Sequence, residues 1–303
     1  MVATDKKRKN NRIRESLGDN ILKAFVYTMV ILLSLACLLP LLNVLASSFS
    51  SVESLNAGKV AFWPIGFNVD AYKTILENGQ LMRSMLFSLR ITFVHVIFTL
   101  VMTVLCAYPL SHKDLVGKNV IWPFILFTMY FGGGMIPHYI LIRDLNMINT
   151  MWSLIIPGLI STYNMILMRS FFSSIPEALR EAAIVDGAND ATTLVRIILP
   201  LSKSMLATIA LFYAVGRWNG VQDGMIYIND PSKYILQVRL KNIIISSTAL
   251  TELMQEGQNN QTILQTQQVR SAALVFSLIP VMIVYPFLQK YFVKGVMIGS
   301  VKG

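Results

Sequence analysis

Charged residues are scarce in this chain of 303 residues. They make up 14% of the sequence, whereas an average soluble domain carries about 25%. Hydrophobic residues account for 54%, and the mean hydropathy is +0.56. This composition argues against an ordinary soluble domain and indicates an all-α protein that crosses a membrane several times.

Residues that carry chemistry are also few. The two cysteines, Cys37 and Cys106, lie within apolar runs, so neither a disulfide framework nor a cysteine metal site is indicated. The three histidines are far apart, and no paired carboxylates or Ser/His arrangement suggests an enzyme. A G-x-x-x-x-G-K-[ST] phosphate loop is also missing, because the Gly132–Gly134 run lacks the Lys and Ser/Thr that such a loop needs. We therefore expect no nucleotide, metal or other cofactor on this chain.

Six apolar runs are long enough to cross a bilayer as helices, which takes roughly 17–25 residues. They lie at about residues 21–45, 87–110, 120–142, 151–168, 205–218 with its flanks, and 272–292. The fifth run is the shortest and ends at Gly216-Arg217. We retain it, because without it one of its polar flanks would fall on the wrong side of the membrane.

The net charge of +10 is distributed as a topology signal. Residues 1–20 form a basic tail, and if this tail is cytoplasmic, 16 of the 26 Lys and Arg residues fall on the cytoplasmic side. Positive charge beside the first span favours that orientation, so both termini are predicted to be cytoplasmic. We prefer this interpretation of the tail to nucleic-acid binding. No small-residue cleavage site ends the first apolar run, so we expect it to be retained as an anchor.

Two long segments are predicted on the outer side. Residues 46–86 contain a Trp63-Pro64 turn and a short interfacial helix around 69–76. Residues 219–271 are predicted to form an outer loop, very polar at 255–268, because an unpaired backbone cannot lie in hydrocarbon. Contact with an external partner or solute and a merely solvated loop both remain open.

Polar residues within the spans are candidates for a path through the membrane. Gly132–Gly134 and Pro137 predict a bend or an unwound turn in the third span. The candidates for lining a polar path are Tyr130, His138, Asn164 and Asn219. For each residue alone, hydrogen bonding between helices is the alternative explanation.

A polar insert, residues 169–204, separates the fourth and fifth spans. Ser174 and Glu177 have capping-box spacing, and Pro176 suits a first helical turn. These residues predict a helix that runs through about Val185.

A turn and a second helix are predicted to follow. Gly187 can adopt the left-handed conformation that ends the first helix. Asn189 or Asp190 can cap the second helix, which Pro200 should end near Leu199. The resulting helix–turn–helix at the inner membrane face is either a docking surface for a cytosolic partner or a structural elbow between two spans.

The insert resembles the EAA loop of permease subunits of ATP-binding-cassette (ABC) importers. The matching positions are Glu181, Ala182, Ala183, Asp186, Gly187, Ala188, Ile197, Leu199 and Pro200. The six-span layout is similar to that of carbohydrate-uptake permeases of the maltodextrin type. Residues 237–242 and the ending 289–303 are similar to the subgroup that handles oligosaccharides derived from polysaccharides.

This resemblance implies a type I ABC importer permease fold with cytoplasmic EAA coupling helices, which fit a groove on the ATPase subunit. It implies polar docking contacts from Glu177, Arg180 and Glu181, and close packing at the alanines of the motif. It also implies that the C-terminal tail, residues 296–303, touches the ATPase interface through Met297, Ile298 and Gly299.

The combined prediction is a permease domain, residues 21–295, that translocates an oligosaccharide across the bacterial cytoplasmic membrane by alternating access. The implied partners are a second homologous permease, two ABC ATPases that bind ATP and Mg, an extracytoplasmic solute-binding protein and the lipid bilayer. One alternative is an ion-coupled secondary transporter, although the spans contain almost no acidic residues. The other is a non-transporting membrane scaffold.

Overall fold

The computed structural model describes residues 17–254 and 267–286, and within these ranges the chain is built from helices with no strand. The predicted basic tail lies largely outside these ranges, as do residues 255–266 and the C-terminal tail with Met297, Ile298 and Gly299. In chain order the helices are α1 (Leu17–Ser48), α2 (Val52–Asn56), α3 (Asp70–Asn78), α4 (Gln80–Ser111), α5 (Lys118–Tyr130), α6 (Met135–Asp144), α7 (Trp152–Gly158), α8 (Thr162–Ser174), α9 (Ala178–Val185), α10 (Asp190–Leu201), α11 (Lys203–Trp218), α12 (Val221–Tyr227), α13 (Leu236–Met254) and α14 (Gln267–Pro286).

Three helices, α1, α4 and α14, are each long and apolar enough to cross a membrane. Three further spans are possible if bent helix pairs are each counted as one: α5 with α6, α7 with α8, and α10 with α11. The bends between the paired helices are 107°, 49° and 82°. The chain therefore has three to six spans, and the upper value matches the predicted count.

The bends refine the predicted third and fourth spans. The break between α5 and α6 falls at residues 131–134, where the glycine run predicted it. The fourth span was predicted to be continuous over 151–168, but it is interrupted at residues 159–161 and continues to Ser174. Ser161 caps α8 there by accepting a hydrogen bond from the Asn164 backbone N–H, so a cap signal lay inside the apolar run.

Helix α4 is the centre of the bundle and packs mainly against α8 and α11. Its buried face repeats every three or four residues and is largely small or polar. The small and polar members of this stripe are Ser84, Ser88, His95, Thr99, Thr103, Ala107 and Ser111. Small side chains allow helix backbones to approach closely in a membrane, and hydroxyl groups can hydrogen-bond across the contact.

A buried hydroxyl pair joins the three helices at this contact. The Thr103 and Tyr213 hydroxyl oxygens are 2.7 Å apart, and the Ser161 backbone N–H donates to the same Tyr213 oxygen at 3.2 Å. The edge of the His95 ring packs against the Tyr213 ring, with centroids 6.0 Å apart. Tyr213 on α11 thus connects α4 to the start of α8.

A buried arginine fixes the end of α11. One terminal nitrogen of Arg217 donates to the Leu154 carbonyl at 2.8 Å and to the Asp223 carboxylate at 3.0 Å. The other donates to the Gly220 carbonyl at 3.0 Å. A buried charge needs such partners, and they join α11, α7 and α12.

The two segments predicted on the outer side contain more helix than expected. The interfacial helix predicted around 69–76 is α3, which ends at Gly79 in a left-handed conformation with φ of 65°. The loop predicted over 219–271 instead contains α12, α13 and the start of α14. Ile235, Leu236, Val238 and Leu240 are buried among neighbouring helices, and this apolar packing stabilises α13 where polar composition had suggested a loop.

Replacing Tyr213 with Phe should weaken the bundle without changing its fold. The substitution leaves the Thr103 hydroxyl and the Ser161 N–H without their shared partner, at an expected cost of about 1 kcal/mol for an interhelical hydrogen bond in a membrane. Thermal unfolding of the purified protein in detergent should show a lower midpoint. Tyr163→Phe is the matched control, because Tyr163 is exposed. Equal midpoints for the two variants would contradict this prediction.

Candidate functional site

The insert between α8 and α11 contains a short helix ended by a glycine turn. The Ala188 N–H donates to the Ala183 carbonyl and the Gly187 N–H donates to the Ile184 carbonyl, both at 2.9 Å. This pair of bonds is the Schellman arrangement, which places a left-handed residue directly after the helix. Gly187 has a φ of 80°, as predicted for the end of α9.

The predicted capping box at the start of α9 is wrong. Ser174 is the last residue of α8, and its hydroxyl donates to the Phe171 carbonyl at 2.7 Å. Helix α9 begins at Ala178, and Glu177 occupies its N-cap position without a side-chain capping bond. The error arises because α8 continues six residues beyond the predicted span and takes Ser174 into its last turn.

The second helix of the insert begins as predicted but ends later. The Asn189 side chain accepts a hydrogen bond from the Thr192 N–H at 2.8 Å and so caps α10. The helix does not stop near Leu199 but continues through Pro200 to Leu201. Its middle, Leu194–Ile198, is a π-helix, and a widened turn just before Pro200 relieves the clash that a proline ring makes in a regular helix.

Arg180 faces inward, although it was expected to be a docking contact. The residue is 9% exposed. Its Nη2 donates to the Ser111 hydroxyl at 3.0 Å and to the Phe172 carbonyl at 3.3 Å. The guanidinium lies 5.4 Å from the Tyr108 ring centroid, within the range of a cation–π interaction. Arg180 therefore ties α9 to the end of α4.

Two further cations lie near this junction. Lys113 donates to the Glu177 carboxylate at 2.6 Å. This hydrogen bond raises the pKa of Lys113 and lowers the pKa of Glu177. Both side chains are exposed, so the pair adds little stability by itself. Arg169 on α8 donates to the Leu110 carbonyl at 3.0 Å, and its guanidinium lies 4.1 Å from the Trp122 ring centroid.

The outer surface of the insert is apolar with acidic neighbours. Ile184 is 64% exposed and Val185 is 87% exposed. Around them the exposed motif residues are Glu181, Ala182, Asp186, Gly187 and Pro200, whereas Ala183 is buried and Ala188, Ile197 and Leu199 are half-buried. Leu179, Val195 and Leu201 are also exposed. We call Leu179, Ile184, Val185, Val195 and Leu201 the insert surface.

The sequence did not predict a role for Ile184 and Val185, because neither is a defining position of the motif. A signal was available in the helical spacing. Ala183 packs inward, and the next two residues of a helix point about 100° and 200° away from it. Ile184 and Val185 therefore point away from the bundle, where their apolar side chains are exposed.

The four candidates for a polar path lie in different surroundings. Tyr130 and His138 are exposed, and Asn164 is buried. Asn219 is exposed, and its side-chain amide donates to the Val215 carbonyl at 3.0 Å. No hydrogen bond joins these four residues to one another in the described part of the chain.

Asn219 lines a cavity of about 360 Å³ between α4, α11, α13 and α14. Most of its walls are apolar, and it also presents the aromatic residues Trp218 and Tyr285 and the amide of Gln237. Aromatic rings with a few amides suit the faces and hydroxyls of a sugar. Of the four candidates, Asn219 lines this cavity, and its role in a path stays a prediction. Within residues 17–254 and 267–286, no group of three His, Cys, Asp or Glu side chains could hold a metal ion.

Comparisons with known proteins agree with this architecture. A family model described as "Binding-protein-dependent transport system inner membrane component" matches residues 12–298. The chain is 37% identical over 288 residues to a polygalacturonan/rhamnogalacturonan transport system permease protein, YtcP, of Bacillus subtilis, covering 95% of this chain and 100% of that protein. It is 40% identical to the protein LplC of the same organism, covering 88% of this chain and 90% of that protein.

A solved structure extends the likeness to three dimensions. The chain matches a chain of a bacterial ABC transporter involved in the import of the acidic polysaccharide alginate, with a TM-score of 0.82 and 33% sequence identity. The match covers 92% of this chain and 99% of that chain. The helical fold is therefore that of an ABC importer permease. The chain belongs to the family of inner membrane components of binding-protein-dependent transport systems.

Proposed function

We propose that this chain is one permease subunit of an oligosaccharide importer and that its insert receives the movement of an ABC ATPase. The chain is a membrane transport component and not an enzyme. The observation that carries the proposal is the insert surface, where apolar side chains face outward from a helix whose other side is fastened to α4. A surface of this kind suits a partner that must both hold the helix and push it.

The charge and the apolar area of the insert surface suit an ATPase partner. Exposed Ile184 and Val185 supply apolar area that such a partner would bury. Glu181 and Asp186 beside them supply negative charge for cations on the ATPase. ATP and Mg would be bound by that ATPase, consistent with the missing phosphate loop in this chain.

The direction of force transmission follows from the attachment of α9. If the closing ATPase dimer moves α9, Arg180 transfers the displacement to Ser111 and Tyr108 at the end of α4. Helix α4 also contacts α8 and α11, so the core of the bundle would move with it. ATP binding thus shifts the population between inward-open and outward-open states.

The complete importer would contain a second, related permease, two ATPases and an extracytoplasmic solute-binding protein. The insert would lie on the cytoplasmic side together with both termini. The cargo would be an oligosaccharide, in line with the relatives whose names specify polygalacturonan or alginate. The cavity beside Asn219 and Trp218 would then form part of the path.

Uptake into vesicles that contain the reconstituted complex tests the function. ATP-dependent accumulation of an oligosaccharide that needs the binding protein is the expected result. Uptake that requires a proton or sodium gradient would indicate a secondary transporter, and no flux with a stable assembly would indicate a scaffold. Either of these results would overturn the proposal.

Introducing a charge at the centre of the insert surface should block ATPase docking. Val185→Asp places a carboxylate where an apolar side chain is expected to be covered. ATPase affinity should fall about tenfold or more, a loss of about 1.4 kcal/mol or more. Co-purification and binding of the ATPase measure the effect. Val185→Leu is the control and should keep normal affinity, whereas unchanged binding of the Asp variant would exclude Val185 from the interface.

Strain in the glycine turn should uncouple ATP hydrolysis from uptake. Gly187→Val forces a β-branched residue into a left-handed conformation, at a cost of about 1–2 kcal/mol. No neighbouring atom lies close enough to clash with the added Cβ, so the effect comes from the backbone. We expect less sugar transported per ATP hydrolysed in proteoliposomes. Gly187→Asn is the control because Asn tolerates this conformation, and equal losses for both variants would contradict the role of the turn.

Removing the inward-facing guanidinium should loosen the insert while leaving its docking surface intact. Arg180→Gln loses the cation–π contact with Tyr108 and weakens the bonds to Ser111 and Phe172. We expect near-normal ATPase affinity with reduced uptake per ATP. Arg143→Gln on α6 is the control, because Arg143 is exposed and paired with Asp144. If Arg180→Gln lowered ATPase affinity as strongly as Val185→Asp, Arg180 would be a docking residue after all.

A further inference from the structure

A second cavity, of about 360 Å³, lies at the end of α4 away from the insert. Gln80 at the start of α4 lines it, whereas Ser111 at the other end of the same helix contacts Arg180. The 32 residues of α4 span about 48 Å. The cavity therefore lies on the side from which a binding protein would deliver the oligosaccharide. Its volume falls within the range of small-molecule sites, roughly 300–1,000 Å³.

Most of the wall surface of this cavity is apolar, but six of its ten lining residues have polar side chains. They come from α3, α4 and α13 and are Thr74, Asn78, Gln80, Arg239, Asn242 and Ser246. Amide and hydroxyl groups of this kind can both donate and accept hydrogen bonds. They match the hydroxyl groups of a sugar.

Arg239 is held rigidly in the cavity wall. Its Nη1 donates to the Gln80 side-chain oxygen at 2.9 Å, and its Nη2 donates to the Pro231 carbonyl at 2.7 Å. Its Nε lies 3.5 Å from the Ser84 hydroxyl, and the guanidinium lies 5.4 Å from the Tyr234 ring centroid. These contacts use three of the five N–H donors of the guanidinium. Two donors remain for a ligand.

The charge of Arg239 has no carboxylate partner in the described part of the chain. None of the residues lining the cavity is acidic, and each ion pair in residues 17–254 and 267–286 involves other cations. Arginine binds carboxylates well because its planar fork can donate two parallel hydrogen bonds. A fixed guanidinium beside amide and hydroxyl groups suits a ligand that carries both hydroxyls and a carboxylate.

We propose that this cavity is a subsite for a uronate unit of the transported oligosaccharide, and that Arg239 distinguishes acidic from neutral sugars. The inference rests on the proposed function and specifies its substrate class. It agrees with the acidic polysaccharide in the name of the similar solved structure. A carboxylate on the binding protein is the other source of the same chemistry, and the experiment below distinguishes the two.

The test compares two ligands that differ in charge. The complete transporter in lipid nanodiscs, without binding protein, is titrated with trigalacturonate and with its fully methyl-esterified form. We expect the acid to bind at least about tenfold more tightly than the ester, as for loss of a charge-assisted bidentate contact. This preference should weaken as salt is raised.

Variants identify the residue responsible. Arg239→Gln should remove the preference for the acid, and Arg239→Lys should keep part of it because the charge remains. Lys241→Gln is the matched control, since Lys241 lies two residues further along α13, is exposed and is absent from the cavity wall. The control should retain the full preference.

Three outcomes would overturn the inference. They are equal binding of acid and ester by the unmodified transporter, an unchanged preference in Arg239→Gln, and normal sugar binding with weaker docking of the binding protein in Arg239→Gln. The last outcome would assign the cavity to protein docking. Failure of the proposed function is a separate result, because it would appear as no ATP-dependent uptake of any oligosaccharide by the unmodified complex.

Discussion

A polar group inside a membrane must find its partner within the protein, and α4 supplies several such partners, although its own His95 Nδ1 and Tyr108 hydroxyl are buried without one in the described part of the chain. Its buried stripe of Ser, Thr and His residues lets α8 and α11 approach closely. The same stripe supplies hydroxyls to groups that would otherwise lack partners: Ser88 accepts from the Leu236 backbone N–H at 2.7 Å, and Thr103 pairs with Tyr213. One interrupted span is bonded to this network, because the Ser161 backbone N–H donates to Tyr213, whereas the break at residues 131–134 is exposed.

The insert presents two different surfaces on opposite sides of one short helix. Arg180 and Ala183 face inward and attach α9 to the bundle, whereas Ile184 and Val185 face outward. A docking helix attached only by apolar contacts could slide when it is pushed. Directional hydrogen bonds from a buried guanidinium fix its orientation, and an unpaired buried cation would be costly. The division explains why an arginine next to the motif is buried while its apolar neighbours are exposed.

The long helices and the break at Gly132–Gly134 could be predicted from hydropathy and glycine content, because both signals are local. The turn at Gly187 and the Asn189 cap could be predicted for the same reason. The start of α9 could not be predicted in this way. The spacing of Ser174 and Glu177 fits a capping box whether or not α8 has already ended. The position of Arg180 and the helices within residues 219–254 depended on contacts with α4, which lies far away in the sequence. Local polarity predicted that Arg180 is a docking residue and that an outer loop begins at residue 219. Tertiary packing instead buries Arg180 and stabilises helices α12 and α13.

Helix α4 also explains how the two ends of the molecule can act together. Its backbone continues without a break from the Gln80 end to the Ser111 end, and its only internal proline, Pro109, lies in the last turn. If α9 is displaced, the contacts of Arg180 would carry the displacement to the continuous helix α4, and the bends at residues 131–134, 159–161 and 202 are the points at which the other spans would change their angles. The described part of the bundle thus combines continuous helices, α4 among them, with spans that are bent. Movement at the insert would then reach the cavity at Gln80 through α4, while the bends absorb the change in packing around it.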